Sequence, residues 1–147
     1  MSEPESPGHT SRIDGKPLRV WVVDDSPADR HLMKRALRPK IDPAQVTGFG
    51  SSEEALVRLE EGTSPNLVLL DLNMPGLGGM HFLRERKARS FRYFPVVVFS
   101  SSSDRREIQE VYALGASSYV RKPDDLTGLR ALCAVLLDYW FRWAVLP

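Results

Sequence analysis

Asn66-Leu67-Val68-Leu69-Leu70-Asp71-Leu72-Asn73-Met74-Pro75-Gly76 runs an unbroken apolar segment into a lone carboxylate and then into a Pro/Gly turn. A short apolar run bounded by turn residues reads as a buried strand, and its end delivers Asp71 to the rim of a sheet. Ligands of open parallel sheets bind outside the carboxyl ends of the strands. Two other strand-like runs end in the same manner, Val20-Trp21-Val22-Val23 in Asp24-Asp25 and Val96-Val97-Val98-Phe99 in Ser100. Asp71 is therefore one of several polar side chains expected at strand ends.

Outward from this stretch the chain alternates β-branched runs with helical ones, which predicts an α/β fold with a parallel sheet and helices on both faces. The strand candidates are Leu18–Val23, Gln45–Phe49, Asn66–Asp71, Pro95–Ser100 and Ser117–Arg121. Ser26-Pro27-Ala28-Asp29 supplies an N-cap, a proline at the first helical position and an acid in the first turn; Pro39 marks that helix's end. Ser51-Ser52-Glu53-Glu54 is a capping box, with Gly62 as its helix stop. A third helix is expected over about Gly79 to Arg89. A fourth runs from near Asp104, with Glu107 as its box partner, to Gly115, and a fifth starts near Asp125.

The fifth helix is apolar around more than half its girth. Leu129, Leu132, Cys133, Leu136, Trp140 and Trp143 form a stripe able to face the sheet, while Val135, Leu137, Tyr139, Phe141 and Val145 fall outside it. Deeper packing is one reading. The sharper one is a partner surface at Tyr139, Trp140, Phe141 and Trp143, most simply for a homodimer.

A chain of 147 residues with 42% hydrophobic content forms one domain with enough core to fold alone. A formal net charge of +1 with scattered cations argues against nucleic-acid binding. The single cysteine, Cys133, excludes an internal disulfide and a multi-cysteine zinc site. No apolar stretch reaches the about 18 residues that span a bilayer. The polar residues 1–16 are expected to be a disordered tail, residues 17–138 the folded domain and residues 139–147 an aromatic extension. A soluble, cytoplasmic protein is expected.

Carboxylates gathered at one rim repel each other unless a cation lies between them, and hard oxygen donors favour Mg2+. Asp24-Asp25 before Ser-Pro reads equally as a helix cap, which leaves one functional acid. Lys122, ahead of Pro123, is a point charge suited to a phosphate, and alone it is also an ordinary surface lysine. Ser100 is the first residue past a buried run, whereas Ser101 to Ser103 read as a polar loop. In order, an acidic pair, one aspartate, a hydroxyl and a lysine, each after its own strand, describe a phosphoryl-transfer site.

These motifs resemble the receiver domain of two-component response regulators over about Lys16 to Asp138. The resemblance rests on Val-Val-Asp24-Asp25-Ser-Pro, Leu-Leu-Asp71-Leu-Asn-Met-Pro75-Gly-Leu-Gly-Gly79, Pro95-Val-Val-Val-Phe-Ser100 and Tyr119-Val-Arg-Lys122-Pro123. It implies a flavodoxin-like sheet of five strands in order 2-1-3-4-5, and a phosphoacceptor signalling protein rather than an enzyme with a separate substrate. Asp71 is then the phosphoacceptor. Asp25 and Asp71 bind Mg2+ (or Mn2+) directly, Asp24 helps through water, and the backbone carbonyl of Asn73 completes the set. Ser100 bonds a phosphoryl oxygen, Lys122 pairs with the phosphate, Tyr119 is the aromatic that follows Ser100, and Lys122-Pro123 is cis. The implied partner is a sensor histidine kinase.

Ser101 departs from the family's usual alanine. The ending Tyr139-Trp-Phe-Arg-Trp-Ala-Val-Leu-Pro147 and the longer Arg38–Thr47 connection resemble the small regulators paired with phytochrome-type kinases, and a stand-alone receiver without an output domain is expected. Two other readings stand beside this one. A haloacid-dehalogenase-like phosphatase needs a second acid two residues after its nucleophile, where Asn73 stands here. A pseudo-receiver that works only through a docking surface is disfavoured by the intact set of site residues.

Overall fold

Five parallel strands form the centre of the computed structural model, which describes residues 12–13, 16–76 and 78–147. They are β1 (Val20–Val23), β2 (Val46–Phe49), β3 (Leu67–Asp71), β4 (Val96–Ser100) and β5 (Ser118–Arg121), in the order β2-β1-β3-β4-β5. This is the expected 2-1-3-4-5 arrangement. Register aligns the strand ends: Val23 lies beside Leu70 and Phe49, Asp71 beside Phe99, and Ser100 beside Arg121.

Side-chain alternation divides each central strand between two cores. Trp21, Val23, Val68, Leu70, Val96 and Val98 face one layer, which α2 (Ser52–Glu60), α3 (Gly78–Ala88) and α4 (Arg105–Ala113) cover through Leu56, Leu59, Phe82, Leu83 and Val111. Val20, Val22, Leu67, Leu69, Val97 and Phe99 face the other. There α1 (Pro27–Leu37) and α5 (Leu126–Asp138) supply Met33, Leu37, Leu129, Cys133 and Leu137. Cys133 is fully buried with its sulfur 3.6 Å from Met33 Sδ, and burial pushes its thiol up to about 12, so it stays protonated.

The caps follow the sequence signals with one change of partner. Ser26, Ser51, Asp104 and Asp125 each accept a backbone N–H of the first turn of their helix. In the box at Ser51, Glu54 reaches back to the N–H of Gly50 at 3.2 Å. Glu107 does not close a box at Asp104; its carboxylate turns toward Ser100 instead.

The end of α5 differs from the expected stripe. Tyr139–Trp143 form a π-helical turn, closed by Ala144 N–H donating to the Tyr139 carbonyl. Widening the turn breaks the 3.6-residue period. Trp143, expected inside the stripe, is accordingly 68% exposed, whereas Leu137, expected outside it, is buried before the turn, four residues after Cys133 on the same face of α5. Trp140 and Phe141 are half-buried against the α1/α5 core. The expected disordered tail lies mostly outside the described residues; within it, Arg12–Ile13 pairs antiparallel with Lys16–Pro17.

Candidate functional site

The carboxyl ends of β1, β3, β4 and β5 bring the predicted groups to one rim. Asp24 is still tied to the sheet, its N–H donating to the Phe49 carbonyl at 3.0 Å and its own carbonyl accepting from Arg30 Nη1 at 2.6 Å. Its side chain is buried and accepts the Ser26 N–H at 3.0 Å. Ser26, and neither aspartate, caps α1, so both acids stay at the rim. Asp24, Asp25 and Asp71 each offer an oxygen, and these lie within 4.8 Å of one another.

That spacing suits a small divalent cation. Oxygens on an octahedral ion with bonds of about 2.1 Å stand roughly 3–4 Å apart, so a slight contraction closes the set. Burial pushes the Asp24 carboxyl up to about 6; the Asp71 and Asp29 charges add to this, against the Ser26 N–H and Lys122. A cation among the three acids would reverse that shift.

Lys122 follows β5, its N–H donating to the Ser100 carbonyl at 2.9 Å and its Nζ 3.5 Å from Asp24 Oδ2 and 3.2 Å from Asp29 Oδ2. Burial alone would lower its pKa, but the carboxylates of Asp24, Asp29 and Asp71 outweigh burial and leave it raised. The lysine is therefore charged. Asp29, in the first turn of α1, is a partner that the sequence reading did not assign to Lys122; its position three residues after the cap Ser26 points it at the same rim. The Lys122–Pro123 bond is trans, contrary to the expected cis form. The trans isomer is the default by about 0.5–1 kcal/mol. Here it is compatible with both the Lys122 backbone bond and its two carboxylate contacts.

Ser100 is 1% exposed. Its Oγ accepts from Asn73 Nδ2 at 3.2 Å and from the Ser102 N–H at 3.1 Å, and it donates to Glu107 Oε1 at 3.4 Å. Asn73 joins the site through its side chain, and its N–H donates to Asp71 Oδ1 at 3.2 Å. Tyr119, half-buried, donates its hydroxyl to the Ser102 carbonyl at 2.8 Å. The turn after Asp71 is held tightly: a Cβ on Gly79 would lie 2.7 Å from the Asp71 carbonyl, and Ser52 Oγ donates to the Gly78 carbonyl at 2.6 Å. Tyr139, Trp140, Phe141 and Trp143, expected as a partner surface, lie in the π-helical turn that follows α5.

Comparison with known proteins agrees with the geometry. Residues 20–134 match the model of the response regulator receiver domain. The chain is 33% identical over 136 residues to the two-component response regulator ARR6 of Arabidopsis thaliana, covering 84% of this chain and 72% of the relative. Other curated relatives are longer, and the chain spans 30% and 25% of two of them. Among solved structures, the phosphorylated cyanobacterial phytochrome response regulator RcpA is 30% identical with a TM-score of 0.80, over 88% of this chain and 98% of that one. The Mn2+-bound form of response regulator Rcp1 is 27% identical with a TM-score of 0.76, over 89% and 99%. With the matched residues spanning all five strand ends, this chain belongs to the family of response regulator receiver domains.

Proposed function

We propose that Asp71 accepts a phosphoryl group from the phosphohistidine of a sensor histidine kinase, and that the signal leaves through the surface of this same domain. The observation that carries the reading is the set of three carboxylates within 4.8 Å, with Lys122 beside Asp24 and the Ser100 hydroxyl at the next strand end. Asp25, Asp71 and the Asn73 carbonyl would hold Mg2+, or Mn2+ in its place, with Asp24 helping through water, and the ion would supply charge neutralisation on the transferring oxygens. An Asp71 oxygen bonds to phosphorus as the histidine N–P bond breaks, and the imidazole nitrogen keeps the electron pair. Asp71 then holds a dianionic phosphoryl group. Lys122 pairs with one of its oxygens, Ser100 donates to another, and Tyr119 follows Ser100 through the loop they share. The switch is local electrostatics acting on a two-state surface of α4, β5 and α5.

The partner is a kinase of the phytochrome type, a reading supported by the likeness to RcpA over nearly its whole length. In this reading the regulator acts in the cytoplasm; among its described residues no helix is long and apolar enough to cross a membrane. Self-association through the end of α5 is part of the proposal, supported by exposed Val135 on α5, Tyr139 and Trp143 in the π-helical turn and Val145 in the extended residues after it. Incubation with acetyl phosphate and Mg2+, followed by intact-mass measurement, tests the central step. One phosphoryl group is expected on the wild type and none on Asp71→Asn. An unlabelled wild type, under conditions that label a control receiver, would overturn it.

A further inference from the structure

A hydroxyl has one proton to donate and two lone pairs with which to accept. At Ser100 both acceptor positions are taken, by Asn73 Nδ2 at 3.2 Å and the Ser102 N–H at 3.1 Å, so its proton points to Glu107 Oε1 at 3.4 Å. A phosphoryl oxygen on Asp71 needs that same proton. The two acceptors are mutually exclusive.

Glu107 belongs to α4, and α4 is lightly anchored: Val111 is its one buried side chain, and its first turn starts from the serine loop, where Ser102 Oγ accepts the Asp104 N–H at 3.1 Å. A dianionic group at Asp71 would both take the Ser100 proton and repel the Glu107 carboxylate. From this donor count we infer that Glu107 is a latch: it holds the Ser100 proton in the unphosphorylated protein and links release of the first turn of α4 to phosphorylation. This rests on the reading of Asp71 as phosphoacceptor and names the group that restrains that site. Glu107 is a positioning residue, acting through Ser100.

Fluoroberyllate in saturating Mg2+, a mimic of the phosphoryl group that needs no kinase, reads the latch directly. At 3.4 Å the Ser100–Glu107 contact is longer than an ordinary hydroxyl–carboxylate hydrogen bond, so Glu107→Ala is expected to bind fluoroberyllate tighter by about two- to three-fold. Glu107→Gln, which keeps an acceptor but loses the charge, is expected to fall between. General loosening of the fold would weaken binding. In a Ser100→Ala background the Glu107→Ala gain is expected to shrink to the part due to charge repulsion, the difference being the coupling that a double-mutant cycle assigns to the Ser100 contact. Unchanged or weaker binding by Glu107→Ala, or an equal gain without the Ser100 hydroxyl, would overturn the latch. A wild type that binds no fluoroberyllate and takes no phosphoryl group overturns the phosphoacceptor reading and the latch with it. A wild type that binds while Glu107→Ala matches it removes the latch alone.

Discussion

The Tyr119 hydroxyl donates to the Ser102 carbonyl across 2.8 Å, so the edge strand β5 and the serine loop after β4 are joined by a side chain as well as by the sheet. Tyr119→Phe removes the donor and leaves a carbonyl in a half-buried loop. A loss of about 0.5–1.5 kcal/mol is expected, read as a lower urea midpoint with an unchanged slope. An unchanged midpoint would mean that water replaces the hydroxyl without cost.

Asp24 sets the pH behaviour of the metal-free protein. Its carboxyl is raised from 3.8 to about 6, so between those values the folded chain binds more protons than the unfolded one. Stability contributed by this group is therefore largest at low pH and falls as pH rises through the window. Asp24→Asn, which keeps an acceptor for the Ser26 N–H, is expected to stabilise the protein at about pH 7 by up to the order of 3 kcal/mol. Denaturant titrations in EDTA should show the advantage shrinking toward about pH 4. A constant difference across that range would assign the effect to packing.

If Mg2+ occupies the acidic cluster as proposed, it is expected to raise the melting temperature, because only the folded chain brings the three carboxylates together. At about a hundred times the dissociation constant the gain is about 2.7 kcal/mol. Asp25 is exposed, so Asp25→Asn should leave the metal-free melting temperature nearly unchanged and abolish most of the Mg2+-induced rise. Scanning calorimetry with and without Mg2+ separates the two effects.

Gly79→Ala tests how tightly α3 is seated on the end of β3. The added carbon would stand 2.7 Å from the Asp71 carbonyl and 3.0 Å from Leu72 Cα, both backbone atoms that cannot swing aside. A destabilisation of about 1–3 kcal/mol is expected by chemical denaturation. Phosphorylation by acetyl phosphate should slow as well, since the shift falls on the backbone of Asp71 itself.

Self-association at the end of α5 makes a separate expectation. Tyr139 and Trp143 are exposed, while Trp140 and Phe141 help to close the core. Replacing Tyr139 and Trp143 together by alanine should shift sedimentation at micromolar concentration from dimer toward monomer, with a small fall in melting temperature from the lost dimer and from the lost Tyr139–Trp140 ring contact and Trp143–Asp138 hydrogen bond. A wild-type monomer at that concentration would remove the dimer.

The strands and the rim groups were legible because both depend on short runs of chain. Leu67 to Leu70 must be buried on two faces, and whatever follows such a run emerges at the rim, so Asp24, Asp25, Asp71, Ser100 and Lys122 were found without tertiary knowledge. The partners were less legible. Asp29 meets Lys122 from 93 residues away, and no local pattern encodes that pairing. Glu107 has the spacing of a capping box, but Asp104 caps α4 on its own and leaves the glutamate free to reach Ser100. The faces of α5 were read with a 3.6-residue period that fails at the π-helical turn, which misplaced Trp143. The isomer of Lys122-Pro123 was drawn from resemblance, and a proline alone biases it too weakly to decide.

Cys133 turns the seam between α1 and α5 into a self-reporting joint. The chain has one sulfhydryl, and it is fully enclosed beside Met33. An alkylating reagent can therefore reach it only when that joint parts. The rate of modification then counts openings of this face without any introduced label. Comparing that rate with Asp71 free and occupied would tell whether events at the rim are felt on the side of the sheet opposite α4.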